Sequence, residues 1–230
     1  MNKISIIVAT MWRFQPFIDF LKDIVEHPAV GEVIIINNAW QDTPTHSVLQ
    51  HEKVRLYNFP ENIYVNPAWN VGVAISAFNN LCILSDDVIF DLKLLTRIQE
   101  QLTQGKIFAV NVPFDKTTQI KGLIEFKKFH EGMQLYHYGC LMFMHKDDWV
   151  PIPSGLNISY GDCWMWDSMR AKYDENYVIE DLFFYTPSGA TLSVITDRDH
   201  IYGRETELVK SYWPFLMRQL AKEKDNKQEK

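Results

Sequence analysis

Leu81-Cys82-Ile83-Leu84-Ser85-Asp86-Asp87 is an apolar run of four residues closed by three polar ones. A run this short, without alternation, reads as a strand buried on both faces. The polar cluster marks its end. The same pattern occurs upstream. Ile4 to Thr10 is β-branched and is followed by Met11-Trp12-Arg13; Val33 to Ile36 is followed by Asn37-Asn38-Ala39-Trp40-Gln41-Asp42. Val54 to Tyr57 and Ile107 to Val112 are further strand candidates. Helical stretches lie between them. Pro16 to Glu26 places Phe17, Phe20, Leu21, Ile24 and Val25 on one face and is stopped by Pro28. Asn66 caps a helix that has Pro67 at its first position and runs to about Phe78. Leu92 to Leu102 has helical spacing, with Gly105 as its terminator. Alternation of strand and helix predicts an α/β fold with a mostly parallel central sheet, flanked by helices joined through right-handed crossovers. In such sheets ligands sit at the carboxyl ends of the strands, and three polar clusters fall there.

The second half is more mixed. Ile120 to Phe129, Leu135 to Met144 and Tyr177 to Tyr185 read as extended, Ile152 to Ser159 as loop, and Gly161 to Tyr173 and Thr206 to Lys222 as helices. On the first of these helices Trp164 and Trp166 lie about 200° apart, so they are not expected to share a role in core or site. No repeat or long linker divides the chain, which predicts one domain over 1–222 and a frayed, charged end at 223–230. Hydrophobic residues at 47% exclude a disordered chain. A net charge of −6 argues against a general nucleic-acid-coating role. The three cysteines, Cys82, Cys140 and Cys163, form no CxxC pair and fit a reducing compartment. With no secretory leader pattern and no apolar run long enough to span a bilayer, a cytoplasmic location without integral membrane contact is expected.

Three constellations can carry chemistry. Asp86 and Asp87 repel each other, and a hard divalent cation such as Mg2+ or Mn2+ relieves that repulsion while leaving positions for a diphosphate; the alternative is a solvated turn, or a cap for the helix from Leu92. Asn37 to Asp42 offers amide groups that can read a nucleobase edge, with Trp40 to stack on it; a polar turn is the alternative. Asp162, in Tyr160-Gly161-Asp162-Cys163-Trp164, can be a carboxylate in an apolar cleft whose raised pKa suits a general base; the alternative is a helix-capping acid. The segment His137-Tyr138-Gly139-Cys140 has small residues that let a ligand approach the backbone. No GxxxxGK[ST], GxGxxG or serine nucleophile elbow is present.

With these residues the chain resembles a small, soluble, divergent GT-A (Rossmann-like) glycosyltransferase of glycosyltransferase family 2. Thr10 and Arg13 match the family's turn after strand one. Asn37 stands where the family has a base-binding acid. Ala68-Trp69-Asn70-Val71-Gly72 matches its helix start, and Ser85-Asp86-Asp87 keeps the last acid of its metal-binding D-x-D. Gly139 to Lys146 matches part of the acceptor wall. The resemblance implies a nucleotide-sugar-binding half at 1–112 and an acceptor or catalytic half at 113–222. It also implies that Asp87 binds a divalent metal (Mn2+ or Mg2+), that Asp86 contacts the ribose or lies just behind the metal, and that Thr10, Arg13, Asn37, Trp40 and Asn70 hold the donor. Asp162 would be the general base of an inverting hexosyl or pentosyl transfer. His200 is a candidate further ligand, because Tyr185-Thr186-Pro187-Ser188 supplies none. A nucleotidyltransferase and a non-catalytic nucleotide-sugar-binding module are the competing readings. The hydroxyl-bearing acceptor is open between glycan and modified phage DNA. Lys116, Lys121, Lys127 and Lys128, interleaved with Phe126 and Phe129, are either a small polyanion contact or a solvated strand face.

Overall fold

A computed structural model of the protein describes residues 2–113, 123–187 and 198–228. Among the described residues eight strands form one sheet, in the order Val54–Asn58, Val30–Asn37, Ile4–Thr10, Asn80–Ser85, Leu141–His145, Ile107–Val110, Asn176–Glu180 and Glu125–Lys128. Its first four members are β1 (Ile4–Thr10), β2 (Val30–Asn37), β3 (Val54–Asn58) and β4 (Asn80–Ser85), all mutually parallel. Register aligns their ends: Thr10 pairs with Asn37, and Ala9 with Ser85. The three polar clusters therefore begin at one level on one edge.

A short β5 (Ile89–Phe90) and β6 (Ile107–Val110) follow, then β7 (Glu125–Lys128) and β8 (Leu141–His145). The sheet becomes mixed because β8 inserts antiparallel between β4 and β6, pairing Leu84 with Leu141. It starts where β4 ends, so the residues just before Leu141 are delivered onto the Asp86–Asp87 edge. β9 (Asn176–Glu180) runs parallel to β6 and antiparallel to β7. β10 (Phe184–Tyr185) leaves the main sheet to pair antiparallel with β5.

Helices cover both faces. Ile4, Ile6 and Val8 point into a cluster with α1 (Pro16–Glu26) and α3 (Lys93–Gln101). Ile7, Ile34 and Ile36 point the other way, onto α2 (Val65–Ile75), α4 (Gly161–Lys172) and α5 (Arg198–Gln228). Among the described residues no helix is long and apolar enough to cross a membrane.

Several boundaries depart from the sequence expectation. The second helix opens at Val65 after Tyr64, so Asn66 lies inside its first turn rather than capping it. The third stops at Gln101, and Gly105 instead serves a later turn at φ 87°. The last helix begins at Arg198 and continues to Gln228, past the expected end at Lys222. Trp164 and Trp166 are both buried, because α4 is covered on two sides. Trp164 meets Trp213 of α5 edge-on at 5.5 Å, while Trp166 meets Phe129 at 5.5 Å and Tyr138 at 5.8 Å. Lys116, Lys121, Ile120 and Ser188 lie outside the described residues.

Candidate active site

A cavity of about 610 Å3 opens at the carboxyl edge of β1 and β4. Its floor is built by Thr10, Ser85, Asp86 and Asp87. The Thr10 hydroxyl donates to Asp86 Oδ2 at 2.6 Å and accepts from the backbone N–H of Trp12 at 2.9 Å. Asp86 is nonetheless pushed up to about 6: burial raises it, the Thr10 bond opposes, and the charge of Asp87 raises it further. Neither aspartate caps α3. Leu92 holds the cap position, and the nearby N–H of Lys93 is taken by Asp91 at 3.0 Å. That removes one alternative to a ligand-binding role.

Asp162 faces this floor from the first turn of α4, lining the same cavity. Its Oδ1 accepts the N–H of Cys163 at 2.8 Å. Oδ2 lies against Gly139, where any Cβ would collide with the carboxylate. Gly139 thus makes room for the Asp162 carboxylate, and it lines the same cavity. Burial raises the Asp162 pKa, opposed by the Cys163 N–H and thiol. The Cys140 thiol links the two walls. It is pushed up to about 12 by burial and then by the charges of both Asp87 and Asp162, while its bond to Ser85 acts in reverse. Both carboxylates are therefore within electrostatic range of one side chain. Tyr138 contacts Cys163 Sγ at 2.7 Å, and burial followed by the Asp162 charge raises its pKa.

Asp86, Asp87, Thr10 and Asp162 are brought together; the other expected donor contacts are not. Asn37 is fully buried. Its Oδ1 accepts from Trp12 Nε1 (2.8 Å) and from the Ala39 N–H (3.0 Å), while its Nδ2 donates to Thr43 (2.6 Å) and Asn58 (2.7 Å). Asn70 braces the 149–152 loop, taking the Trp149 Nε1–H and the Ile152 N–H at Oδ1 and giving Nδ2–H to the Ile152 carbonyl. Arg13 pairs with Asp42 at 3.3 Å, both exposed. Trp40 is 48% exposed. None of these four lines the cavity, and His200 is likewise absent from its lining. Among the described residues no group of three or more His, Cys, Asp or Glu side chains forms a metal cluster.

No family model and no curated protein matches the sequence. Solved structures do resemble the fold. Residues 1–349 of S. aureus TarS align over 91% of this chain and 72% of that one, at 12% identity and a TM-score of 0.56. The same TarS fragment in complex with UDP aligns over 90% and 70%, at 13% identity and 0.53. A nucleotidyl transferase from Methanothermobacter thermautotroptrophicus aligns over 88% and 99%, at 16% identity and 0.53. The chain shares its fold with these proteins.

Asn62, Tyr64, Tyr136 and Tyr202 also line the cavity and were not singled out by the sequence, while Asn38 and Tyr160 were quoted only within the segments around Asn37 and Asp162. One physical mark unites part of this set. Six non-glycine residues among those described have positive φ, and three of them, Tyr64 (65°), His137 (53°) and Tyr160 (63°), line the cavity. Bulky residues held there cost about 1–3 kcal/mol each and cluster at functional sites. Such strain has no signature in a single sequence.

Proposed function

We propose that the protein is a glycosyltransferase moving a sugar from a nucleotide-sugar to an acceptor hydroxyl with inversion. The observation that carries this reading is the convergence of Asp86–Asp87, at the end of β4, and Asp162, at the start of α4, on one cavity. The fold shared with an enzyme solved in complex with UDP supports a nucleotide-sugar donor.

Consecutive buried carboxylates, one with its pKa raised by burial and then by the charge of the other, have the chemistry of a divalent-cation site with two protein ligands. Asp87 would be the main ligand and Asp86 a second or supporting one. Mn2+ or Mg2+ held there supplies charge neutralisation for the departing diphosphate. Thr10 fixes Asp86 in place. Asp162 Oδ2 takes the proton of the acceptor hydroxyl as that oxygen bonds to the anomeric carbon. The bond from that carbon to the donor's phosphate oxygen breaks, and its electron pair leaves with the nucleoside diphosphate. A base on the wall opposite the leaving group gives inversion.

A panel of nucleotide-sugars with Mn2+ tests this, read by released nucleoside diphosphate. Release from at least one donor, lost on chelation and in Asp87→Asn, is expected. Absence of both binding and release across the panel overturns it. The match spanning 99% of a nucleotidyl transferase favours a second reading. Pyrophosphate release from a nucleoside triphosphate would establish that one instead.

A further inference from the structure

Two aromatic rings stand at the mouth of the cavity on the Asp162 side. Tyr202, near the start of α5, is 53% exposed yet lines the cavity. It stacks on Tyr160, with ring centroids 5.7 Å apart and planes at 21°. The pair is held rigidly. The Thr206 hydroxyl donates to the Tyr202 carbonyl at 2.8 Å, so the Tyr160 hydroxyl is the donor in its 2.9 Å bond to Thr206. Glu205, 1% exposed, accepts backbone N–H bonds from Asn157 (2.6 Å), Ile158 (3.0 Å) and Ser159 (2.7 Å). The loop leading to Tyr160 is therefore fastened to α5. An exposed ring on so firm a frame is a preorganised contact surface.

Charge narrows what can lie on it. The cavity carries Asp86, Asp87 and Asp162 and, among the described lining residues, no lysine or arginine. With the cation proposed at Asp86–Asp87 taken by the donor diphosphate, a strand of nucleic acid or another phosphate polymer would meet Asp162 and no lysine or arginine among the described lining residues, whereas such ligands are held by Lys and Arg. The two described lysines of the basic cluster noted in the sequence do not compensate. Lys127 bridges Glu125 (3.1 Å) and Glu180 (2.8 Å), and Lys128 pairs with Glu175 at 2.6 Å. A neutral sugar fits better. The C–H face of its ring packs on an aromatic face, and its hydroxyls donate to carboxylate and amide oxygens.

We propose that Tyr202 and Tyr160 form an acceptor subsite for an uncharged saccharide, which stacks on the exposed Tyr202 ring and presents a hydroxyl to Asp162. This rests on the glycosyl-transfer reading and narrows its acceptor. The test uses the full chain with the donor found above, and compares neutral mono- and disaccharides with DNA oligonucleotides as acceptors. Donor hydrolysis without acceptor is measured in parallel and reports on the transfer reading alone. Transfer to a saccharide is expected. Tyr202→Ala should raise the saccharide KM about tenfold, while Tyr202→Phe, which keeps the ring, should stay within about twofold of wild type. Preferential modification of DNA, or a wild-type saccharide KM in Tyr202→Ala, overturns the subsite while hydrolysis still upholds the transfer reading. Where the donor panel gives neither binding nor release, with or without acceptor, the transfer reading fails, and saturation-transfer NMR reads saccharide binding directly. A saccharide signal present with wild type and abolished by Tyr202→Ala then sustains the subsite; no signal with wild type, or one unchanged by the substitution, overturns it.

Discussion

At the scale of single residues, Asp162 is held in conflict between stability and use. Its carboxylate is raised by burial, so its ionised form is disfavoured in the folded chain. The sign follows from linkage: a raised acid stabilises the fold fully below its unfolded pKa, and that contribution is lost as pH rises through the folded value. Asp162→Asn removes this penalty and keeps an Oδ1 for the Cys163 N–H. We expect a higher Tm than wild type at neutral pH, a difference that shrinks on acidification, with turnover down at least ~100-fold. Wild-type kcat should fall on acidification at a pH above the ordinary aspartate range, and a pH–rate profile reads this. Gly139→Ala tests the same contact from the other side. The new methyl meets the Asp162 carboxylate, so turnover should drop at least ~10-fold while donor affinity, measured calorimetrically, changes little.

At the scale of elements, the site depends on how α5 grips the loop before α4. Glu205 supplies both carboxylate oxygens to three successive N–H groups. Glu205→Ala leaves those donors without their partner and should cost about 1–3 kcal/mol in urea unfolding. Glu205→Gln keeps one carbonyl oxygen but turns an NH2 toward a backbone N–H, so an intermediate loss is expected. Asn66 reinforces the junction from α2. Its Nδ2 donates to the Ser159 carbonyl at 2.9 Å, and its Oδ1 lies so close to Gly161 that no side chain fits there. The antiparallel β8 performs the other positioning task, since pairing Leu141 with Leu84 carries Gly139 and Cys140 to the floor.

At the scale of the whole molecule, the cavity floor ends the central sheet and its facing wall is carried by α4, packed on that sheet, so ligand binding and global stability are coupled. A nucleotide bound with Mn2+ at about 100 times its Kd adds about 2.7 kcal/mol to the folded state. A thermal shift with UDP and Mn2+, abolished by chelation and reduced in Asp87→Asn, is the expected outcome. Much of this architecture is legible in the chain. The short apolar runs at Ile6–Ala9 and Leu81–Leu84 read as strands covered on both faces. The polar residues after them mark the edge where the cavity opens, and Thr10, Asp86 and Asp87 line it; Asp162 is legible as an acid opening a helix. The neighbours of these residues are another matter. Asn37 and Asn38 are identical in type and adjacent, yet one is spent inside the fold and the other lines the cavity. Local pattern fixes which segments are buried, because burial follows the periodicity of apolar side chains. Partnership across the molecule, such as Gly139 with Asp162 or Tyr202 with Tyr160, is decided only when strand insertion and helix packing bring distant residues together, and no local pattern records that.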